Sequence, residues 1–201
     1  MKKLGIVYHS PHWHTAHFAT HVAKGVCSVA AVAVEELPLE TIKTPQMLTD
    51  FDGLILGSPT YLGGVSGPFK SFMDSTGGLW RAQSLKGKLA AGFTVSSLPS
   101  GDKLSTLMSM FVFSMQHGMI WIGNPFLPGT MQGDIPEQAV NRLGSWTGAM
   151  AQAAHGTAPE QAFTPGDLRG AEMFGRNFAE VLAGRCVESE SAEGPLYRAA
   201  G

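Results

Sequence analysis

The chain has 201 residues, 44% of them apolar, enough for one sizeable core without disulfide or metal staples. Its 14 basic and 16 acidic residues leave a net charge of −2, which excludes the basic face of a nucleic-acid binder and lacks the strong acidity of a carrier that docks by charge. The two cysteines, Cys27 and Cys186, form no CxxC, and no apolar run reaches the about 18 residues of a membrane span, so a soluble, cytoplasmic protein with free thiols and no membrane insertion is expected.

Leu4 to Tyr8 is a short apolar run of the kind buried on both faces of a parallel sheet. After the polar stretch Ser10 to Thr15, Phe18, Val22 and Val26 recur at helical spacing and predict a helix ending near Gly25. Ala31 to Val34 reads as a second strand and Gly53 to Gly57 as a third, followed by a glycine-rich loop. A helix is predicted from near Pro68, with Phe69, Phe72 and Met73 on one face. Leu89 to Val95 is a fourth strand. Lys103 to His117 is a helix with Leu104, Leu107, Met108, Phe111 and Met115 in register, and Met119 to Ile122 is a fifth strand. Asn124 to Asp134 reads as an insertion loop, and Arg142 to Ala154 fits either a short strand or a helix. Thr164-Pro165-Gly166-Asp167 carries a hydroxyl cap, a proline and a first-turn acid, and opens an amphipathic last helix through Leu168, Ala171, Phe174, Phe178 and Val181. Residues 1–186 read as one domain and 187–201 as a tail.

Five alternations of strand and helix mean βαβ units with right-handed crossovers. The expected fold is α/β: a flavodoxin-like, doubly wound, five-stranded parallel sheet with helices on both faces, which binds ligands beyond the carboxyl ends of its strands. The first loop there is Ser10-Pro11-His12-Trp13-His14-Thr15. Two hydroxyls, the free amides of a helix N-terminus and the absence of acids suit a phosphate, although ordinary capping by Ser10 or Thr15 fits the spacing as well. No GxGxxG and no Walker glycine-lysine pattern is present, which argues against a dinucleotide fold and against ATP. His9, His12, His14, His17 and His21 crowd this region. His17 and His21 are spaced as zinc ligands can be, but no cysteine or carboxylate is near them in sequence, and no metal is expected.

The run GSPTYLGGVSGPFKSFMDSTGGLW, Gly57 to Trp80, resembles the second flavin loop of the WrbA-type NAD(P)H:quinone oxidoreductases of the flavodoxin superfamily. Glycines there let the backbone approach a flavin whose ring edge needs amides and carbonyls in one plane. The resemblance implies non-covalent FMN, with hydride passing from NAD(P)H to the flavin and two electrons passing onward to a quinone that enters the same pocket; the flavin carries the chemistry, and no catalytic side chain is assigned. It implies FMN contacts from Ser10, His12, His14 and Thr15, from Pro59, Thr60, Tyr61, Leu62 and Gly63, and from the third loop through Thr94, Val95, Ser96, Ser97 and Ser100. His12 and Trp80 fall where the family meets its second substrate. Gln116-His117-Gly118-Met119 resembles a histidine-histidine-glycine-methionine segment, so that Gln116 replaces a flavin-contacting histidine and His117 keeps the second place. Trp80 also reads as a core aromatic, and His117 as a helix C-terminal residue favoured by the dipole.

Three departures bear on the site. Trp13 stands where the family carries glycine, and is strained if the position needs positive φ. Ser97, Pro99 and Ser100 replace glycines in the third loop. A segment that helps build the family's tetramer is largely missing between Val34 and Thr49. A homo-oligomer is expected, a dimer sooner than a tetramer, with Trp13, Tyr61, Trp80 and Trp121 as apolar surface near the loops. The alternatives are a flavodoxin-type electron carrier, disfavoured by charge, and a non-catalytic flavin-binding regulatory protein.

Overall fold

A computed structural model of the chain describes residues 1–184; Cys186 and the tail expected at 187–201 lie outside the described residues. In chain order the elements are β1 (Lys2–Tyr8), α1 (His14–Cys27), β2 (Val32–Pro38), β3 (Gly53–Tyr61), β4 (Gly64–Val65), α2 (Gly67–Ser75), α3 (Gly77–Ala82), β5 (Leu89–Ser96), α4 (Lys103–Gln116), β6 (Ile120–Trp121), β7 (Ala149–Gln152) and α5 (Pro165–Leu182). The parallel order is β2-β1-β3-β5, the doubly wound order read from the sequence.

The fifth place in the sheet is divided. β6 pairs with Leu89 and Ala90 at the start of β5, whereas β7 pairs with Phe93 to Ser96 at its end. Asn124-Pro125 ends the first piece, because proline has no amide for a ladder. The excursion closes on itself: Asn124 donates from its backbone to the Trp146 carbonyl and from its side chain to the Ser145 carbonyl. The ambiguous stretch Arg142 to Ala154 therefore holds a strand, β7, whose small side chains lie against β5.

Apolar residues on the two sheet faces build separate cores. Leu4, Ile6, Ile55 and Phe93 pack beneath α1 and α5, whereas Val7, Leu54, Leu56 and Ala90 pack beneath α2, α3 and α4. α1 continues to Cys27 instead of ending near Gly25. Gly25 is a contact, not a terminus: a Cβ there would lie 1.8 Å from the Glu172 carbonyl oxygen, and one at Gly175 would lie 2.0 Å from that of Val22. The two glycines let α1 and α5 touch backbone to backbone.

β2 and β3 run about four residues past their predicted ends, to Pro38 and Tyr61. The extra residues of β3 are polar but buried, and side-chain partners satisfy them, which an apolar-run criterion cannot register. Leu39–Thr41 and Pro45–Asp50 form short 3-10 turns in the shortened segment before β3. Trp121 is not near the loops. It sits at the opposite end of the sheet, where its Nε1–H donates to the Thr147 carbonyl at 2.7 Å and its ring meets the edge of Phe111. Among the described residues no helix is long and apolar enough to cross a membrane.

Candidate functional site

A cavity of about 770 Å³, a size typical of cofactor sites, opens beyond the carboxyl ends of β1, β3, β5 and β7. Its wall takes Ser10 to Thr15 from the first loop, Pro59 to Tyr61 from the second and Val95 to Ser97 from the third. A fourth segment, Ala153 to Thr157, completes it. The sequence reading missed this segment, because it is recognisable only once β7 is known to be a strand of the same sheet. The lining contains no lysine, arginine, aspartate or glutamate.

The first loop enters α1 through Trp13, at φ 64° and ψ −14° in the left-handed region. The glycine-type position is thus real, and a tryptophan occupies it with its side chain largely exposed. The Ser10 hydroxyl oxygen accepts the Ala16 amide at 2.9 Å, so capping is one of its roles, while its own proton is left to point elsewhere. Thr15 is 2% exposed, lines the cavity and makes no side-chain hydrogen bond to another described residue. His14 Nε2–H donates to the Thr157 carbonyl at 3.2 Å and so ties the first loop to the fourth. His12 is exposed at the wall.

In the second and third loops the hydroxyls of Ser58, Thr60, Thr94 and Ser96 are committed to the protein. The Thr94 hydroxyl donates to the Ser58 carbonyl at 2.7 Å, so it accepts from Thr60 at 2.8 Å, and Thr60 in turn accepts from Thr106 at 2.8 Å. Thr60 therefore offers the cavity backbone groups, and Thr94 does not line it. Leu62, Gly63 and Ser100 do not line it either. Leu62 and Gly63 form the left-handed, solvent-facing tip between β3 and β4, at φ 47° and φ 80°.

The third loop has its own anchor. Lys103 is buried, and its ammonium donates to the carbonyls of Leu98, Pro99 and Ser100. Burial, and then the Arg142 charge, pull its pKa down to about 8. Where the resembling family uses glycines, this chain fixes the loop from below with one cation. A lysine at the start of an amphipathic helix gives no sequence signal for that role.

Trp80, Gln116 and His117 come together elsewhere, in a second groove of about 790 Å³ between α2–α3 and α4 that shares no lining residue with the first cavity. Trp80 is 49% exposed, so the core-aromatic reading does not hold. His117 is buried; its Nε2–H donates to the Thr76 hydroxyl at 3.0 Å, and that hydroxyl donates to the Met73 carbonyl at 2.7 Å. Nδ1 is left without a partner, and burial holds the ring's pKa below the usual histidine range. His21 Nδ1 meets the Glu172 carboxylate at 2.8 Å, while His17 lies against Phe163 and is held below the usual histidine range by burial. Among the described residues no three histidine, cysteine or acidic side chains form a group that could hold a metal.

The donor set fits FMN: a helix N-terminus with hydroxyls for one phosphate, backbone groups of two loops for the ring edge, and no carboxylate in the wall. Residues 12–131 match the model of the NADPH-dependent FMN reductase family. An "NAD(P)H dehydrogenase (quinone)" of Archaeoglobus fulgidus is 34% identical, over 92% of this chain and 100% of that protein. Flavodoxin FldP of Pseudomonas aeruginosa is 30% identical, over 90% of this chain and 97% of that protein. The crystal structure of a flavodoxin, WrbA-like protein from Agrobacterium tumefaciens superposes with a TM-score of 0.69 at 27% identity, over 92% of this chain and 100% of that one. The order of the sheet, the cavity beyond its strand ends and these matches lead to one assignment: the chain belongs to the NADPH-dependent FMN reductase family and is an FMN-dependent oxidoreductase of flavodoxin-like fold.

Proposed function

We propose that the protein moves two electrons from NADH or NADPH to a quinone-like acceptor, in the cytoplasm, with FMN held non-covalently in the cavity at the carboxyl ends of the strands. The observation that carries this reading is the cavity's composition: hydroxyl and amide donors at a helix N-terminus, two backbone-lined loops, and no carboxylate. Bound FMN supplies the hydride-accepting and hydride-donating chemistry.

The chain's residues bind, orient and shield. Ser10 and Thr15 offer hydroxyl protons to the phosphate, and His12 and His14 stand beside it. Backbone groups of Pro59, Thr60 and Tyr61 and of Val95, Ser96 and Ser97 meet the ring edge. Trp13 and Tyr61 line the cavity and are 71% and 44% exposed, so they offer aromatic faces at its mouth. Trp80 and Gln116 are exposed in a different groove, so within this reading they reach a flavin from a second copy of the chain, whereas His117 is buried and does not. The near-neutral charge argues for an enzyme over a carrier, which recognises partners by a charged face.

The test is spectroscopic. Purified protein is expected to release FMN and not FAD by mass spectrometry, to bleach on anaerobic addition of NADH or NADPH, and to recover its colour with benzoquinone. A bound flavin that bleaches only after a separate reductase is added would make the protein a carrier. No flavin binding at all would overturn the reading.

A further inference from the structure

We propose that three imidazoles, His12, His14 and His155, supply the positive charge for the FMN phosphate, so that flavin binding takes up protons and weakens as the pH rises through the neutral range. The inference rests on FMN occupying the cavity as proposed above. It follows from what the wall contains. A phosphomonoester carries between one and two negative charges near pH 7. The lining offers it no lysine or arginine, and the only groups there able to become cationic are these three histidines. They reach the cavity from both sides: His12 and His14 from the loop that enters α1, and His155 from the segment that follows β7.

His12 and His155 are exposed, and their rings have no hydrogen-bond partner among the described residues. His14 already donates from Nε2 to the Thr157 carbonyl, an acceptor that also suits the protonated ring, and this bond brings the segment carrying His155 against the first loop. Its ring also meets the edge of Phe163. The other charged or titratable groups around these elements are Tyr61 across the cavity, Glu160 on the fourth segment, and His17, His21, Lys24 and Glu172 further along α1 and α5. His17 is held below the usual histidine range by burial and then by the neighbouring His21, His21 is engaged by Glu172, and neither lines the cavity. Glu160 faces His17.

The sign follows from linkage. A phosphate raises the proton affinity of a nearby imidazole, so each histidine binds more proton in the complex than in the free protein. Affinity is then highest at mildly acidic pH and falls as the pH passes through the raised values. Riboflavin has the same ring and no phosphate, and isolates the effect.

Dissociation constants for FMN and riboflavin are measured by flavin fluorescence quenching between pH 6.0 and 8.5 at fixed ionic strength, on the wild-type chain and on His12→Gln, His155→Gln and the double variant. FMN affinity is expected to fall about tenfold from pH 6.5 to 8.5, with riboflavin affinity flat and the FMN slope at least halved in the double variant. Calorimetric titration in two buffers of different ionisation enthalpy should show net proton uptake on FMN binding. Tight FMN binding with a flat pH profile, or an unchanged slope in the double variant, overturns the imidazole assignment alone. Failure of FMN to bind at any pH overturns the cavity reading on which it stands.

Discussion

The ammonium of Lys103 donates to the Pro99 carbonyl at 3.0 Å, in the loop that directly follows the cavity-lining residues Val95 to Ser97. With Leu98 and Ser100 as its other acceptors, one buried cation replaces the conformational freedom that glycines would give this loop. Lys103→Met is expected to raise the FMN dissociation constant several-fold and to speed amide hydrogen exchange over residues 97–101. The pH dependence has a definite sign. The native pKa of about 8 lies below that of the unfolded chain, so the native state loses its proton first. The cost of burying the ammonium is present below pH 8 and disappears as the pH rises toward about 10. The neutral amine has one N–H fewer for three carbonyls, so exchange in the loop should quicken above pH 8 even as this group's contribution to global stability improves. Exchange that is independent of pH in this range, after correction for intrinsic rates, would contradict it.

Thr15→Glu should weaken FMN binding by at least about tenfold. Thr15 is buried at the cavity wall with its hydroxyl uncommitted, and a carboxylate there would face the phosphate. Fluorescence quenching reads the change. Equal affinity would place the phosphate elsewhere.

Trp13→Gly should stabilise the flavin-free protein. A non-glycine residue in the left-handed region costs about 1–2 kcal/mol, and glycine's greater unfolded-state entropy returns about 0.5–1 of it. The tryptophan is 71% exposed, so little packing is lost. A rise in Tm of about 1–3 °C is expected in thermal unfolding. A fall in Tm would mean that Trp13 makes contacts worth more than its strain.

Arg142 grips Asp167 with two parallel bonds, Nε to Oδ1 at 3.0 Å and Nη2 to Oδ2 at 2.8 Å, and so fastens the excursion before β7 to the start of α5. Burial pushes the Asp167 carboxyl above its usual range, against the pull of Arg142. Arg142→Met should cost about 3 kcal/mol at pH 7 by leaving a buried carboxylate without its partner. The loss should shrink toward pH 4, where protonation removes the uncompensated charge. Denaturant melts at the two pH values decide it.

Leu104, Met108, Val112 and Met115 project from one side of α4 at 55%, 40%, 48% and 39% exposure, beside the groove that holds Trp80. A face of that kind is expected to be covered, and light scattering on the flavin-loaded protein should give a dimer, twice 21.3 kDa. Met108→Glu with Val112→Glu should lower the mass toward one chain. A wild-type monomer at micromolar concentration would refute the dimer, and a tetramer would show that the short crossing before β3 does not limit assembly.

Strand identity and order were legible because buried parallel strands are continuous apolar runs, as Leu4 to Tyr8 and Leu89 to Val95 are. Gly25 misled because a glycine that permits helix contact and one that ends a helix look alike until α5 is placed beside it. The first loop was readable down to the left-handed backbone at Trp13. Thr94 was named as a flavin contact, but its hydroxyl belongs to a chain of side chains drawn from β3, β5 and α4, which sequence spacing does not encode. His155 escaped notice for the same reason as its segment: only the pairing of β7 with β5 brings it to the cavity.

The division of the fifth strand position has a consequence for how the chain folds and fails. β6 follows α4 directly, and its pairing with the start of β5 closes a short βαβ unit. β7 returns to the same strand only after the excursion through residues 122–148, so its closure carries a larger entropic cost and comes late. It leads straight into Ala153 to Thr157, the cavity's fourth wall. Whatever fills the cavity therefore holds down the last part of the sheet to form. When the cavity empties, β7 should be the first strand to open, exposing the edge of β5 from Phe93 to Ser96, an unpaired ladder ready to accept a strand from another molecule. Stripping the flavin should thus convert a well-behaved oxidoreductase into an aggregation-prone one before it unfolds.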